Sequence, residues 1–556
     1  MSLCLLLLWM LTIPLQANSQ PNPRGYLLNC GAGASSNNDV IVGNLKYVTD
    51  EGYISVGKTS NIKNNDLVPI LTTLRYFPDK SARKYCYEIP VIKGGKYLVR
   101  TTYYYGGFDD GKEPPIFDQI VEGTKWSVVN TTEDYTNGLS SYYETVVLAK
   151  GRTLSVCLAS NNMTGTDSSP FISALELEYL DDSVYNSTDF NKYALSTVAR
   201  GNFGITDDGD VVGFPDDKFN RLWQPFKDNN PVSTNKANVT PSDFWNVPPA
   251  KLFETSVTTS RGKELQIQWP PVLLPSAAYY IALYFQDNRN PSPFSWRVFN
   301  VSVNGKPFSS NVNVTTKGLT VYAAKWPLSG NTEIVLTPGA GMPVGPVISA
   351  AEIMQIFPLG LETLNRDGTQ FNQSHGYCSP KTSSSLSSFK QDCNLLFDFT
   401  LVTAMHEVKR SFDNPPPDWS GDPCLPEGNG WTGVTCSHDK FARVICLNLT
   451  NVGLSGSIAP SIANLTSLHN IWLGNNKLAG EIPEMGALKE LETLHLENNQ
   501  LEGKIPESLG QLPKLREIYL QNNKLKGDVP KTLQDKKIKI QMKYQEEIRS
   551  QSPAEM

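Results

Sequence analysis

The stretch "IWLGNNKLAGEIP" (residues 471–483) returns as "LHLENNQLEGKIP" (494–506) and "IYLQNNKLKGDVP" (518–530). Recurrence at near-constant spacing marks a stacked array rather than one closed core. On the template L-x-x-L-x-L-x-x-N-x-L-x-G-x-I-P, four coils begin at Val444, Leu468, Leu491 and Leu515, spaced 24, 23 and 24 residues apart. Leu473, Leu496 and Leu520 belong in the stacked interior. Asn476, Asn499 and Asn523 are placed to bond backbone groups at each bend, a demand that every buried turn must meet. The first coil carries Val452 at that position. Glycine permits the turn after each strand, and proline fixes the return.

Side chains alternate along a strand, so the residue between the two buried aliphatics faces outward. At that position the coils carry Asn448, Trp472, His495 and Tyr519. With strands about 4.8 Å apart, three rings make a stripe of roughly 10 Å on the concave face. Exposed rings in a row are costly as solvent face and typical of recognition surfaces. The competing reading is that they pack on each other or on a neighbouring domain. Asn448 opens an Asn-Leu-Thr sequon. A glycan there covers the first coil and confines a ligand to coils two to four.

The 556 residues exceed one ordinary core and predict three or four structural units. The net charge of −6 gives no broad basic field, which argues against a nucleic-acid partner. "MSLCLLLLWMLTIPLQANSQ" reads as a secretory leader over 1–19, with an apolar run at Leu3–Ile13 too short to span a bilayer. Nine sequons agree with export: Asn130, Asn162, Asn186, Asn238, Asn300, Asn313, Asn372, Asn448 and Asn464. Of nine cysteines, Cys4 leaves with the leader and eight remain, as suits a disulfide-bearing chain. No later run is long and apolar enough for a membrane span, so none is expected in the mature chain.

A fainter duplication precedes the coils. "FDQIVEGTKW" (117–126) matches "FNVSVNGKPF" (299–308), "YLVRTTYY" (97–104) matches "YYIALYFQ" (279–286), and "SPFISALELEYL" (169–180) matches "GPVISAAEIMQI" (345–356). The content is strand-like, with hairpin turns such as Asn304-Gly305. Two similar β-sandwiches are predicted, over 24–185 and 195–360. "YLLNCGA" (26–32), "LRYFPD" (74–79), "CYEIPVIKGGKYLVRTTYYYGGFD" (86–109) and "LSVCLAS" (154–160), in this order, resemble the plant malectin-like domain. The resemblance implies tandem sandwich lobes. It points to a lectin for glucosylated N-glycans as the parent fold, and to plant relatives that are mostly receptor-kinase ectodomains, some of which bind secreted peptides.

Residues 361–397 are Ser-rich and read as a linker, with Cys378 and Cys393 flanking the Ser run. Then Leu401, Met405, Val408 and Phe412 mark one helical face, ended by "NPPPDW". With "DPCLPEGNGWTGVTC" this segment, 398–442, resembles the N-terminal cap of plant leucine-rich repeats, which implies a Cys424–Cys436 bridge. Of Cys30, Cys86 and Cys157, one pair is expected and one thiol remains; Cys446 has no evident partner. Four repeats follow over 443–535, and 536–556 is a charged tail. The expected fold is mainly β: tandem malectin-like sandwiches, then a short α/β leucine-rich-repeat solenoid.

A second candidate site is "TTYYYGGFDDGKEPP" (101–115). Alternation sends Tyr103 and Tyr105 to one face and Tyr104 to the other. Rings beside carboxylates suit sugars, whose C–H faces stack while their hydroxyls bond to acids. Tyr104, Phe108 and Asp109 are therefore candidates, set against the plain reading that sandwich strands are Tyr-rich for packing. The cleft between the lobes is a third possibility. Five scattered histidines, no nucleophile elbow, no zinc motif and no phosphate loop argue against catalysis, and neither a metal nor a cofactor is expected. The predicted role is a recognition module for a carbohydrate, a secreted peptide or a receptor ectodomain. The alternatives are an endoplasmic-reticulum lectin and a truncated receptor-kinase ectodomain.

Overall fold

The computed structural model describes residues 25–359, 362–363 and 401–541, apart from 34–38, 65, 206–210, 235–238, 288–295, 440 and 537–538. The leader, Asn238, Asn372, Cys378 and Cys393 lie outside the described residues.

The two lobes have the same strand order. In lobe 1 one sheet runs Gly25–Asn29, Ala174–Leu180, Lys96–Tyr103, Ser141–Leu148; in lobe 2 it runs Tyr193–Phe203, Ala350–Pro358, Leu274–Phe285, Leu319–Gly330. The facing sheets correspond as well: Tyr85–Pro90, Thr153–Ser160, Ile116–Val121, Thr124–Asn130 against Leu265–Gln268, Glu333–Pro338, Arg297–Val303, Lys306–Val314. All three matched sequence pairs fall on equivalent strands. Each sandwich closes on alternating inward residues, such as Tyr97, Val99 and Tyr103 in lobe 1 and Tyr279, Ile281 and Leu283 in lobe 2.

The lobes are not separate bodies flanking a cleft. Ser141–Leu148 pairs antiparallel with Tyr193–Phe203, Thr145 opposite Ser196, which fuses the two main sheets into one of 11 strands. The outward face of that sheet is covered by Tyr185 at the end of lobe 1 and by the stretch of lobe 2 that follows Phe203, through Trp223, Phe244 and Phe253. Beneath it lies a buried ionic chain across the seam. Arg100 bonds Glu144 at 2.7 Å and Glu176 at 2.5 Å; Glu144 also bonds Arg200, which reaches Glu352 at 3.3 Å. Tyr185, Tyr284 and Asn246 donate to Glu352 at 2.6–2.9 Å. Burial pushes the Glu144 carboxyl up, but Arg200 and Arg100 outweigh it and hold it below the ordinary range. The seam between the lobes thus holds buried charge in pairs, as charge removed from water must be.

In the cap, Leu401–Ser411 is helical and buries Met405 and Val408, with Phe412 just past its end, against Trp419 and the first coil. Cys424 is bonded to Cys436, and Cys86 to Cys157; Cys30 (buried) and Cys446 (half-buried) are thiols. The cap docks on lobe 1, although lobe 2 precedes it in the chain. Lys84, 1 % exposed, donates to the carbonyls of Asp422 and Leu425 at 2.6 and 2.5 Å. Gly421 donates its N–H to Glu88 at 2.8 Å, and a Cβ on it would lie 2.8 Å from Cys86 Sγ at φ +63. The Gly-Asp-Pro-Cys turn thus sits against the lobe 1 disulfide, and glycine is required by that approach.

The coils stack as parallel strands Val444–Asn448, Asn470–Trp472, Thr493–His495 and Glu517–Tyr519. Lys539–Gln541, within the segment expected as tail, adds a further parallel strand to this sheet. The two asparagines of each Asn-Asn differ in role. Asn499 accepts from the Leu478 N–H at 3.0 Å and donates to Leu473 O and Leu496 O at 2.9 and 3.1 Å, with Asn476 and Asn523 in equivalent positions. Asn475, Asn498 and Asn522 hold the left-handed turn (φ 58, 54 and 57), which asparagine tolerates. They also chain their amides outside, Asn498 to Asn475 at 2.6 Å and Asn522 to Asn498 at 2.5 Å.

Candidate functional site

On the outer face of the repeat sheet, Trp472 lies opposite His495 and His495 opposite Tyr519. The rings form a column, with centroids 5.9 and 4.4 Å apart and planes 24° and 26° from parallel. All three are partly buried, against each other, with an outer side left to solvent. The indole N–H of Trp472 donates to Thr493 Oγ1 at 2.6 Å, and that hydroxyl donates to Asn470 Oδ1 at 2.7 Å, so the next coil fixes the ring. At the other end Tyr519 donates to Glu517, and Lys539 bonds Glu517 at 2.8 Å while lying 5.0 Å from the Tyr519 centroid. The bond from Lys539, then that from Tyr519, holds the Glu517 carboxyl below the ordinary range. His495 Nε2 stands 3.8 Å from Glu517 Oε2. Asn448, opposite Trp472, is exposed.

The lobe 1 loop is built differently. Tyr103 and Tyr105 point inward and are buried, while Tyr104 turns to the other face and packs against the cluster of Leu45, Tyr47, Ile70 and Leu71. Phe108 is part of an aromatic nest, 5.0 Å from Tyr76, 5.5 Å from Tyr105 and 5.4 Å from Phe171. Asp109 accepts from the Tyr105 hydroxyl, whose oxygen also lies 2.8 Å from Lys112 O. Burial first, then Asp109, pushes the Tyr105 phenol well above its ordinary range. The exposed ring here is Tyr135, 40 % accessible and 4.8 Å from Tyr105. It comes from the helix Thr132–Asn137. Sequence reading missed it because it lies outside the loop motif; its proximity is purely tertiary.

Seven sequon asparagines, Asn130, Asn162, Asn186, Asn300, Asn313, Asn448 and Asn464, are exposed. None lies in coils two to four. Among the described residues no group of three or more His, Cys, Asp or Glu side chains could hold a metal, and no helix is long and apolar enough to cross a membrane.

Known proteins place this architecture. The malectin-like domain matches residues 28–356, well over half of the chain, and leucine-rich repeats (two copies) match 489–531. The chain belongs to the malectin-like family. Among its relatives, the leucine-rich repeat receptor-like serine/threonine-protein kinase At2g14510 of Arabidopsis thaliana is 28% identical over 464 residues, 80% of this chain and 48% of the kinase. The probable LRR receptor-like protein kinase At1g51890 of the same plant is 29% identical over 438 residues, 77% of this chain and 45% of that one. The chain thus spans about half the length of the curated relatives it matches. The crystal structure of the ANX2 ectodomain from Arabidopsis thaliana shares the fold at a TM-score of 0.50 and 16% identity, covering 60% of this chain and 97% of that one.

Proposed function

We propose that the protein is a non-catalytic recognition module of the secretory pathway or cell exterior, whose repeat face engages a secreted peptide or a receptor ectodomain. The observation that carries this reading is the column Trp472–His495–Tyr519, partly exposed on coils that bear no sequon. Aromatic side chains held in one orientation, Trp472 and Tyr519 by hydrogen bonds and His495 by stacking between them, are what a partner can use without ordering them first. The relatives are receptor kinases, in which a ligand-reading exterior is the expected office of such a segment.

Affinity capture from the secreted fraction tests it. The parent should retain a polypeptide partner that the Trp472→Ala/His495→Ala/Tyr519→Ala variant loses, with an unchanged melting curve for the sandwiches. Equal capture by both would dismiss the repeat face.

A second reading has its own support. Exposed Tyr135 beside the Tyr105–Asp109 pair offers a ring and a carboxylate at the mouth of lobe 1, the pairing that sugars need. A glycan array with purified protein decides it. Selective binding of glucosylated high-mannose glycans that depends on Tyr135 and Asp109 would favour a lectin of glycoprotein quality control.

A further inference from the structure

The duplicated lobes differ at the far end of the main sheet. In lobe 1 the last strand, Ser141–Leu148, is closed by Tyr193–Phe203, the first strand of lobe 2. In lobe 2 the equivalent strand, Leu319–Gly330, pairs with Leu274–Phe285 on one side and, among the described residues, with no strand on the other. Only Leu328 of its 12 residues is buried. Such an edge presents unpaired N–H and C=O groups in a row, a template for another chain.

The residues along this edge divide it in two. The second half carries what keeps strand edges apart: a bulge, where Ala323 and Trp326 stand opposite Ile281 and Tyr279, then Lys325 and Pro327. The first half, Leu319–Ala323, reads Leu-Thr-Val-Tyr-Ala, uncharged and rich in strand formers. Within it Tyr322 stands where lobe 1 has Glu144. Glu144 lies opposite Arg100 and Tyr322 opposite Ala282, and Arg100 and Ala282 hold the same place in the matched stretches 97–104 and 279–286. Glu144, at the joint between the lobes, is 2 % exposed. Tyr322 is 39 % exposed and stacks on half-buried Trp245, with centroids 4.6 Å apart and planes 4° from parallel. Paired rings beside an open strand are unfavourable as plain solvent face and typical of contact surfaces. No sequon falls within Leu319–Gly330.

We propose that this half-edge is a self-association surface: Leu319–Ala323 pairs antiparallel with the same residues of a second copy about a two-fold axis, joining two 11-stranded sheets into one. The chain already makes an antiparallel joint at the equivalent strand, with Thr145 opposite Ser196. Repeating that joint head to tail between copies is blocked. Gly25–Asn29, the counterpart of Tyr193–Phe203, already pairs on its outer side with Leu45–Thr49. The two-fold arrangement needs no other strand. Each copy meets the same uncharged residues and stops at the same bulge, Lys325 and Pro327, which sets the register from both sides. The two Tyr322 rings then lie on one face near the axis, as a cross-strand aromatic pair. This surface is separate from the repeat face and independent of what that face binds.

Sedimentation velocity of the intact glycoprotein over a concentration series tests it. The expected result is a monomer–dimer equilibrium in the parent. Tyr322→Lys, which sets like charges together at the axis, should weaken association roughly tenfold or more while the melting curve stays that of the parent. Tyr322→Glu alone should do the same. Mixing the two variants should restore association, because opposite charges then meet across the axis. A parent that stays monomeric at every concentration overturns the proposal. So does a dimer that Tyr322→Lys leaves unchanged, or a loss that mixing does not repair.

Discussion

The mouth of lobe 1 and the outer face of the repeats both gather aromatic rings near acids, yet they use them oppositely. In the lobe, Tyr105 is 2 % exposed, Phe108 is nested among Tyr76, Tyr105 and Phe171, and Asp109 is bonded by Tyr105. On the repeats the rings touch mainly each other, and the neighbouring acceptors Glu497 and Gln521 have atoms without donors among the described residues. The first surface has satisfied its own polar groups; the second has not. Rings alone therefore do not announce a binding site. What differs between the two faces is how far the fold has bonded its own polar groups.

The contrast can be broken most forcefully at Tyr105. Tyr105→Ala should cost about 3–5 kcal/mol of stability, as for other buried aromatics, whereas Trp472→Ala, at a partly buried ring on the sheet surface, should cost less, about 1–2 kcal/mol. Chemical denaturation of both variants checks this, and similar losses would erase the distinction.

Next comes the joint that carries both surfaces. Lys84→Met removes two charge-assisted bonds to the cap carbonyls and should loosen it by about 2–3 kcal/mol. Hydrogen exchange across 420–431 should rise while the repeats stay protected; unchanged exchange would mean that the cap does not depend on this contact.

Within the repeats, Asn499→Gly should cost about 2 kcal/mol by orphaning buried backbone groups. Asn498→Gly should cost only a few tenths, since glycine accepts its left-handed turn. Thermal melting separates the two. Tyr105→Phe, which removes only the hydroxyl and its bond to Asp109, should cost about 1 kcal/mol and leave the nest intact.

The smallest effect is a pH dependence in the cap. Burial, then Lys409 and Arg410, against the opposing pull of Glu88 and Asp422, lowers the pKa of His406 below 6.5. The unfolded chain then binds the proton more readily, so His406 contributes stability above pH 6.5 that is lost as the pH falls toward its folded value. His406→Gln should flatten that slope in melting curves taken between neutral and mildly acid pH.

Much of this was readable in the chain. The coil starts, the buried Leu473, Leu496 and Leu520, the outward rings and the Asn499 ladder all follow from residues near in sequence, as does the opposition of Tyr103 and Tyr105 to Tyr104. The duplication was legible because equivalent strands kept their patterns. Tyr135 beside Tyr105, Glu497 over Gly474 and the strand at Lys539–Gln541 were not, since each depends on which segments the fold brings together.

Sequence by itself determined the periods: two for the strands, about 24 for the coils, and two copies of one sandwich. Periodicity is a local property, imposed by backbone geometry on whichever side chains must be hidden. Only the tertiary structure decided that the lobes share a single sheet, that the cap seats on the first lobe through Lys84, and which polar atoms keep no donor. Those outcomes depend on contacts between residues distant in the chain, from Glu144 and Arg200, 56 positions apart at the seam, to Lys84 and Asp422, 338 apart at the cap, where burial and pairing of charge outweigh any local preference.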